Sequence, residues 1–330
     1  MPAVQTVTGP VDAGELGPTL VHEHVQGRDE AVAAQWPHVK TVAEVEPPHE
    51  ADLDESFELA VQICTRVVEL GVPTICDPAA MFLGRDVPLM RRVSEASGLR
   101  IIPCTGIYTY DYLPPFFAGR DADAIADLFV HDIEQGIQGT EVKAAFIKCA
   151  ADEPGITQNI EKVHRAAARA SVRTGTPIMA HSRPAGGTGP LQIQIFESEG
   201  VDLARVQLAH TGDTDDLDYI ERVLDKGVFI GMDRYGLELY LPYERRQETV
   251  LTLLERGYAD RMMLSADHCA TLDWFPLAAA EQLLAAGAAK DWNMALVPEK
   301  VLPELRERGM TPDQEETMMV SNPRRWLTGG

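Results

Sequence analysis

Residues 144–183 read AAFIKCAADEPGITQNIEKVHRAAARASVRTGTPIMAHSR, and the architecture follows from them. Ala144–Ala150 is apolar on both faces apart from Lys148, the pattern of a strand buried in a parallel sheet. Thr157–Thr174 has apolar residues at helical spacing and stops before Gly175, a helix-ending glycine. Pro177–Arg183 then reads as a second strand. Strand, helix, parallel strand is one βαβ unit.

The unit recurs in both directions. Strand candidates Thr19–Val25, Pro73–Pro78 and Arg100–Tyr108 precede it, and Arg205–His210, Val228–Asp233 and Met262–His268 follow. Helical patterns at Asp54–Leu70, Asp121–Ile137, Thr214–Lys226, Glu244–Arg256 and Leu302–Arg308 lie between and after them. Eight strands alternating with helices predict an α/β fold, a (β/α)8 TIM barrel. Residues before Thr19, with Gly9-Pro10 as the turn, read as a short N-terminal hairpin plugging the barrel's bottom. The stretch Pro37–Pro48 is too short for a linker and reads as a long loop after the first strand, so residues 1–330 are expected to form a single domain.

Lys and Arg number 29 against 51 Asp and Glu, a net charge of −22. Such acidity argues against nucleic acid or an anionic membrane surface as partner. Apolar residues at 45 % supply a large core, which excludes a disordered tail or a disulfide-stapled miniprotein. Cys64, Cys76, Cys104, Cys149 and Cys269 are scattered without a C-x-x-C pair, and read as buried free thiols in a reducing compartment. Neither a secretory signal nor an apolar run near the ~20 residues of a membrane span is found. A cytoplasmic location is expected.

Barrel enzymes carry their chemistry at the C-terminal ends of strands and in the loops that follow. Those ends hold His22-Glu23-His24 on the first strand, Lys148 on the fourth, His181 on the fifth, His210 on the sixth and Asp267 on the eighth. His22 and His24, two apart, share the inward face, and Glu23 turns away. Four imidazoles at one end of a barrel are ligands for divalent cations. His38, His49, His131 and His164 fall in loops or helices and read as surface residues.

Lys148 can snorkel from its strand end to solvent. Facing the histidines and two dications, its charge becomes untenable. An ammonium about 4 Å from one unit charge costs about 4 kcal/mol at an effective dielectric near 20, and roughly double against a dication. There it must lose its proton or take up CO2 as an anionic carbamate. The carbamate balances charge best and offers two oxygens to bridge two ions. Asp267 reads either as a turn cap or as a metal ligand and proton acceptor.

Together these residues resemble the phosphotriesterase-like lactonase family of the amidohydrolase superfamily. The resemblance runs from Val21-His22-Glu23-His24 to Asn322-Pro323-Arg324-Arg325, and includes Thr105-Gly106-Ile107-Tyr108, Ala151–Gly155, His210–Thr214 and Gly231–Gly236. It implies two divalent metal ions, with Zn, Fe, Co and Mn equally suited to the ligands. His22, His24 and Asp267 would hold the more buried ion, His181 and His210 the more exposed one, and carboxylated Lys148 would bridge them. Tyr108 would reach the bridging water and the leaving oxygen, Arg234 would close over the site, and Trp274 would line an acyl-chain channel near a dimer interface. Asp267, Tyr108 and Arg234 are thus the expected catalytic residues, with Tyr108, Arg234 and Trp274 binding substrate.

The resemblance further implies a homodimer that opens lactones, acyl-homoserine or γ/δ-lactones, by attack of a metal-bridging hydroxide, with promiscuous hydrolysis of organophosphate triesters. Alternatives are a phosphotriesterase or carboxylesterase with another native substrate, a non-catalytic metal-binding barrel, and a Schiff-base lyase using Lys148, which leaves the histidines unexplained. Two departures from the family pattern stand out. Ala266 replaces the His or Asn that relatives carry before the aspartate, and Gln26–Asp54 is longer than in close lactonases. Ala185–Gly189 lacks the Gly-Lys-Ser/Thr ending of a phosphate loop and reads as a flexible loop over the site.

Overall fold

Eight parallel strands pair in sequence order: β1 (Thr19–Leu20), β2 (Thr74–Asp77), β3 (Arg100–Gly106), β4 (Phe146–Ala150), β5 (Ile178–His181), β6 (Val206–Ala209), β7 (Phe229–Met232) and β8 (Met262–Leu264). Helices lie between them, giving a nearly closed TIM barrel, as the alternation predicts. This computed structural model describes residues 2–35, 41–43, 49–51, 53–273, 282–283 and 285–330.

Period-two alternation sorts each strand. Ile75, Ile101, Ile147, Ile178, Leu208, Ile230 and Met262 belong to the core packed with the surrounding helices. Cys76, Ile102, Phe146, Met179, Ala209, Phe229 and Met263 fill the interior with Trp326. Lys148 has the parity of Phe146 and Ala150, so its side chain enters the barrel. Gly106 lies opposite Lys148 in the β3–β4 register, at φ 130°; a Cβ there would meet the Lys148 carbonyl oxygen at 1.9 Å. Only glycine fits.

β1 and β8 are the two ends of the pairing order, and the seam between them closes beyond their regular residues. Asp267 N donates to His22 O at 3.0 Å, His24 N to His268 O at 2.7 Å and Ala270 N to His24 O at 3.1 Å. The wholly buried Glu23 carboxylate accepts from Ser265 Oγ (2.9 Å), Ala266 N (2.7 Å) and His268 N (3.0 Å). By taking donors a ladder would use, Glu23 makes the regular parts of the first and eighth strands shorter than the sequence pattern suggests.

Other expectations need correction. The hairpin pairs Ala3–Thr6 with Gly9–Asp12, so the turn is Val7-Thr8 and Gly9-Pro10 begins the second strand. Pro10 is tolerated there because a two-stranded hairpin is all edge. Val7 N bonds Ile101 O at the start of β3, seating the hairpin at the barrel's bottom. Ala185–Gly189 is no flexible loop: a 3-10 turn at Pro184–Gly186 leads into a helix at Thr188–Ser198, and Gly189 packs closely on Tyr219. Most of the first-strand loop lies outside the described residues, but Thr41–Ala43 pairs with His49–Ala51 and with Thr271–Leu272 after β8. The five cysteines are buried, and among the described residues no helix is long and apolar enough to cross a membrane.

His164 is also misjudged as a surface residue. It is wholly buried on the helix Gln158–Thr174, with Nδ1 donating to Ile160 O at 2.8 Å and Nε2 accepting from Gln192 Nε2 at 2.9 Å. Gln192 Nε2 also donates to the His181 carbonyl. Four residues after Ile160, His164 sits on the buried face of its helix, and the neighbouring helix Thr188–Ser198 covers it. Burial pushes its imidazole down to about 4 against the bond to Ile160. A depressed histidine contributes stability above its unfolded pKa, and that stability is lost as pH falls through the folded value. Urea melts from pH 6.5 to 4 should therefore show His164→Gln losing less stability than the parent, by up to ~3 kcal/mol. Equal losses would refute the assignment.

Candidate metal centre

The C-terminal ends of the strands bring His22, His24, Lys148, His181, His210 and Asp267 together. His22 Nε2 lies 3.1 Å and His24 Nε2 3.2 Å from Asp267 Oδ1, and these three residues offer ligand atoms within 4.8 Å of one another. His22 and His210 rings are 4.8 Å apart between centroids, and His181 and His210 4.5 Å. Donors around an ion at about 2.1 Å are spaced by ~3.4 Å in a tetrahedral site, so the first trio fits a metal. Lys148 Nζ is 3.2 Å from His22 Nε2 and 3.5 Å from Met179 Sδ. It is wholly buried, and the charges of Asp267 and Asp233 act on it. Burial pushes it down to about 8, toward the free amine that carbamate formation needs.

Behind each imidazole stands a carboxylate. Asp233 accepts from Nδ1 of both His22 (2.9 Å) and His210 (3.1 Å), and from His210 N (2.7 Å). His24 Nδ1 lies 3.5 Å from Asp77 Oδ1, and His181 Nε2 donates to Asp152 Oδ2 at 2.6 Å. His22, His210 and Asp233 are themselves close enough to suggest a second cation trio. The backbone donor on Asp233 and the two Nδ1 contacts instead make it the group that turns both Nε2 atoms toward the cavity.

The local electrostatics favour a cation. Burial would raise Asp267, but the His22 and His210 rings, with hydrogen bonds from His22 and His24, hold it well below the carboxylate range. Burial would lower His24, yet Asp267 and Asp77 hold it up at about 9. A field that retains a proton on His24 draws a metal ion equally. His210, by contrast, is pushed well below its usual value by burial and by Arg234. His210 (φ 65°) and Asp267 (φ 54°) both sit in the left-handed region, which costs each about 1 kcal/mol and turns the side chain inward where a strand ends.

Tyr108 Oη is 3.2 Å from His181 Nδ1 and from Tyr110 Oη, and burial holds its phenol well above the usual value. Arg234, 8 % exposed, donates through Nε to Asp267 Oδ2 at 2.9 Å. Trp274 lies outside the described residues. The cavity over this centre is walled by Leu83, Leu237, Leu239, Leu272, Leu283, Ala288, Ala289 and Trp292. Ala266 serves through its backbone, N–H to Glu23 and carbonyl to Trp292 Nε1 at 2.8 Å.

Sequence reasoning missed Glu23, Asp77, Asp152 and Asp233 as parts of the centre. The signal was present for two of them, since Asp77 and Asp233 close apolar strands in the same way as His181 does.

The chain matches known proteins along nearly its full length. A profile described as the phosphotriesterase family matches residues 2–327. An aryldialkylphosphatase of Saccharolobus solfataricus is 43 % identical over 318 residues, 96 % of this chain and 97 % of that protein. A phosphotriesterase homology protein of Mycobacterium tuberculosis is 40 % identical over 335 residues, 98 % of this chain and 97 % of that one. The solved phosphotriesterase from Mycobacterium tuberculosis superposes with a TM-score of 0.90 at 38 % identity, covering 99 % of this chain and 98 % of that one.

If Asp233 orients two ligands, Asp233→Asn should weaken metal binding about 10–100-fold in chelator competition. Asp77→Asn, touching one ring at 3.5 Å, should cost less. Equal affinity for parent and Asp233→Asn would show that the carboxylate is dispensable.

Proposed function

Since the chain belongs to the phosphotriesterase family and is a metal-dependent hydrolase, we propose that residues 1–330 act as one domain that opens lactones, with phosphotriester hydrolysis as a side activity of the same centre. The observation that carries this reading is the cavity's mixed lining, in which four histidines and Asp267 share one space with leucines and alanines. An ester head joined to an aliphatic tail matches both. Homoserine lactones and γ- or δ-lactones with acyl or alkyl chains are such molecules.

In this reading His22, His24 and Asp267 would hold one ion, His181 and His210 the other, and Lys148, as a carbamate, would serve both. The fit rests on the donor spacing and on a wholly buried amine beside His22. When bound, two such ions supply Lewis acidity toward the carbonyl or phosphoryl oxygen and a water of lowered pKa. The chain's residues do the rest. Asp267, ionised and held through Oδ2 by Arg234, accepts the proton released on attack. Tyr108 keeps its proton and donates it as a hydrogen bond to the departing ring oxygen. The leucine wall excludes water from the acyl chain and orients it.

Exposed Tyr112 and Phe116 support a homodimer, and the buried cysteines support the cytoplasm. Initial rates on acyl-homoserine lactones, γ- and δ-lactones, an aryl ester and paraoxon test the proposal. Lactone kcat/KM should exceed that of paraoxon, and chelation should abolish both activities. A reversed order would make the protein a phosphotriesterase, and metal binding without any turnover would make it a non-catalytic barrel. Tyr108→Phe should lower kcat about 10–100-fold on lactones with poor leaving groups, and less on paraoxon, whose nitrophenolate leaves unaided.

A further inference from the structure

Asp267 turns Oδ1 to His22 and His24 and Oδ2 to Arg234 Nε. Oδ2 also lies 3.8 Å from His210 Nε2, so Arg234 sets which carboxylate oxygen faces His22 and His24 and which faces His210. Its guanidinium is itself fixed, with Nη1 donating to Asp213 Oδ2 at 2.9 Å and its face 4.3 Å from the Tyr240 ring centre. The other oxygen of Asp213, Oδ1, accepts from Arg246 Nη2 at 3.0 Å. Arg246 stands on the helix Tyr243–Glu255, outside the barrel, yet its side chain is 1 % exposed, with a second donor on the Gly212 carbonyl.

The four charges alternate from the helix to the reaction centre, and Asp213, Arg234 and Asp267 follow three successive strands, β6, β7 and β8. Each inner group is shared between two partners of opposite sign. Without Arg246, Asp213 has a whole oxygen unpaired in a buried site. The guanidinium of Arg234 then turns both prongs of its fork to Asp213, the geometry arginine favours with a carboxylate, and releases Asp267.

We infer that Arg246 is a positioning residue for the reaction centre, acting on Asp267 through Asp213 and Arg234. This deepens the hydrolase reading, and only the kinetic arm of its test rests on that reading. The test is a double-variant cycle of Arg246→Met and Arg234→Met, with Arg246→Lys as the conservative control. Arg246→Met should lower kcat on the best lactone about tenfold with KM changed less than about threefold. Arg246→Lys should recover part of the loss, and Arg246→Met should add nothing in the Arg234→Met background. A second arm needs no substrate: in cobalt(II)-loaded protein, Arg246→Met and Arg234→Met should shift the visible absorption bands alike at unchanged metal content. Should Arg246→Met fail to fold, Asp213→Asn replaces it in the same cycle. Additive kinetic losses, or cobalt bands identical to the parent's in Arg246→Met, overturn the inference. If the parent hydrolyses nothing while the bands shift together, the hydrolase reading falls and the positioning role stands.

Discussion

The Glu23 carboxylate, sealed between the first and last strands, is the constraint on which the rest of the molecule depends. A ring of parallel strands has one seam, and here the donors along that seam converge on one side chain. Burial pushes Glu23 up to about 8 even though three donors oppose it. Because its donors are Ser265, Ala266 and His268, the same contact fixes the residues on either side of Asp267. Because Glu23 lies between His22 and His24, it also fixes the two rings that face Asp267. The contacts that close the barrel are thus the ones that bring His22, His24 and Asp267 together.

From that seam the centre extends as pairs of opposite polarity. Every imidazole has one nitrogen toward the cavity and the other toward a carboxylate, with Asp233 serving two rings at once. Such backing fixes ring orientation and makes the facing nitrogen more basic. The strain stored in the left-handed backbones of His210 and Asp267 is balanced by these contacts, which is why non-glycine residues persist there. Lys148 is the exception to the pairing. It is a buried amine among histidines, tolerable as a free base or as an anion bridging cations, and costly as an ammonium.

Much of the barrel was legible in the chain. Buried parallel strands are apolar on both faces, so a histidine, lysine or aspartate at the end of such a run, as at His181 or Lys148, stands out without coordinates. The shared inward face of His22 and His24 followed from strand parity alone, while Lys148 stayed open between solvent and the histidines until the closed barrel buried it. Less legible were groups whose role lies in a partner distant in sequence. Glu23 was seen to turn away from the metal face, but the donors it turns toward are over 240 residues on. His164 had the spacing of a helix and nothing in its neighbours to announce Gln192 above it. Gly187-Thr188-Gly189 had loop composition, yet it opens a helix because Gly189 can lie against Tyr219 where a larger residue cannot.

The sequence by itself determined the βα alternation and the residues at the strand ends, since these depend on local periodicity and composition that burial in a parallel sheet imposes, and its motifs carried the family resemblance. Tertiary structure alone decided which carboxylate backs which imidazole, how the seam closes and which arginine holds Asp267. Those are matters of distance between side chains on different strands, and a linear chain carries no measure of such distance until the ring has closed.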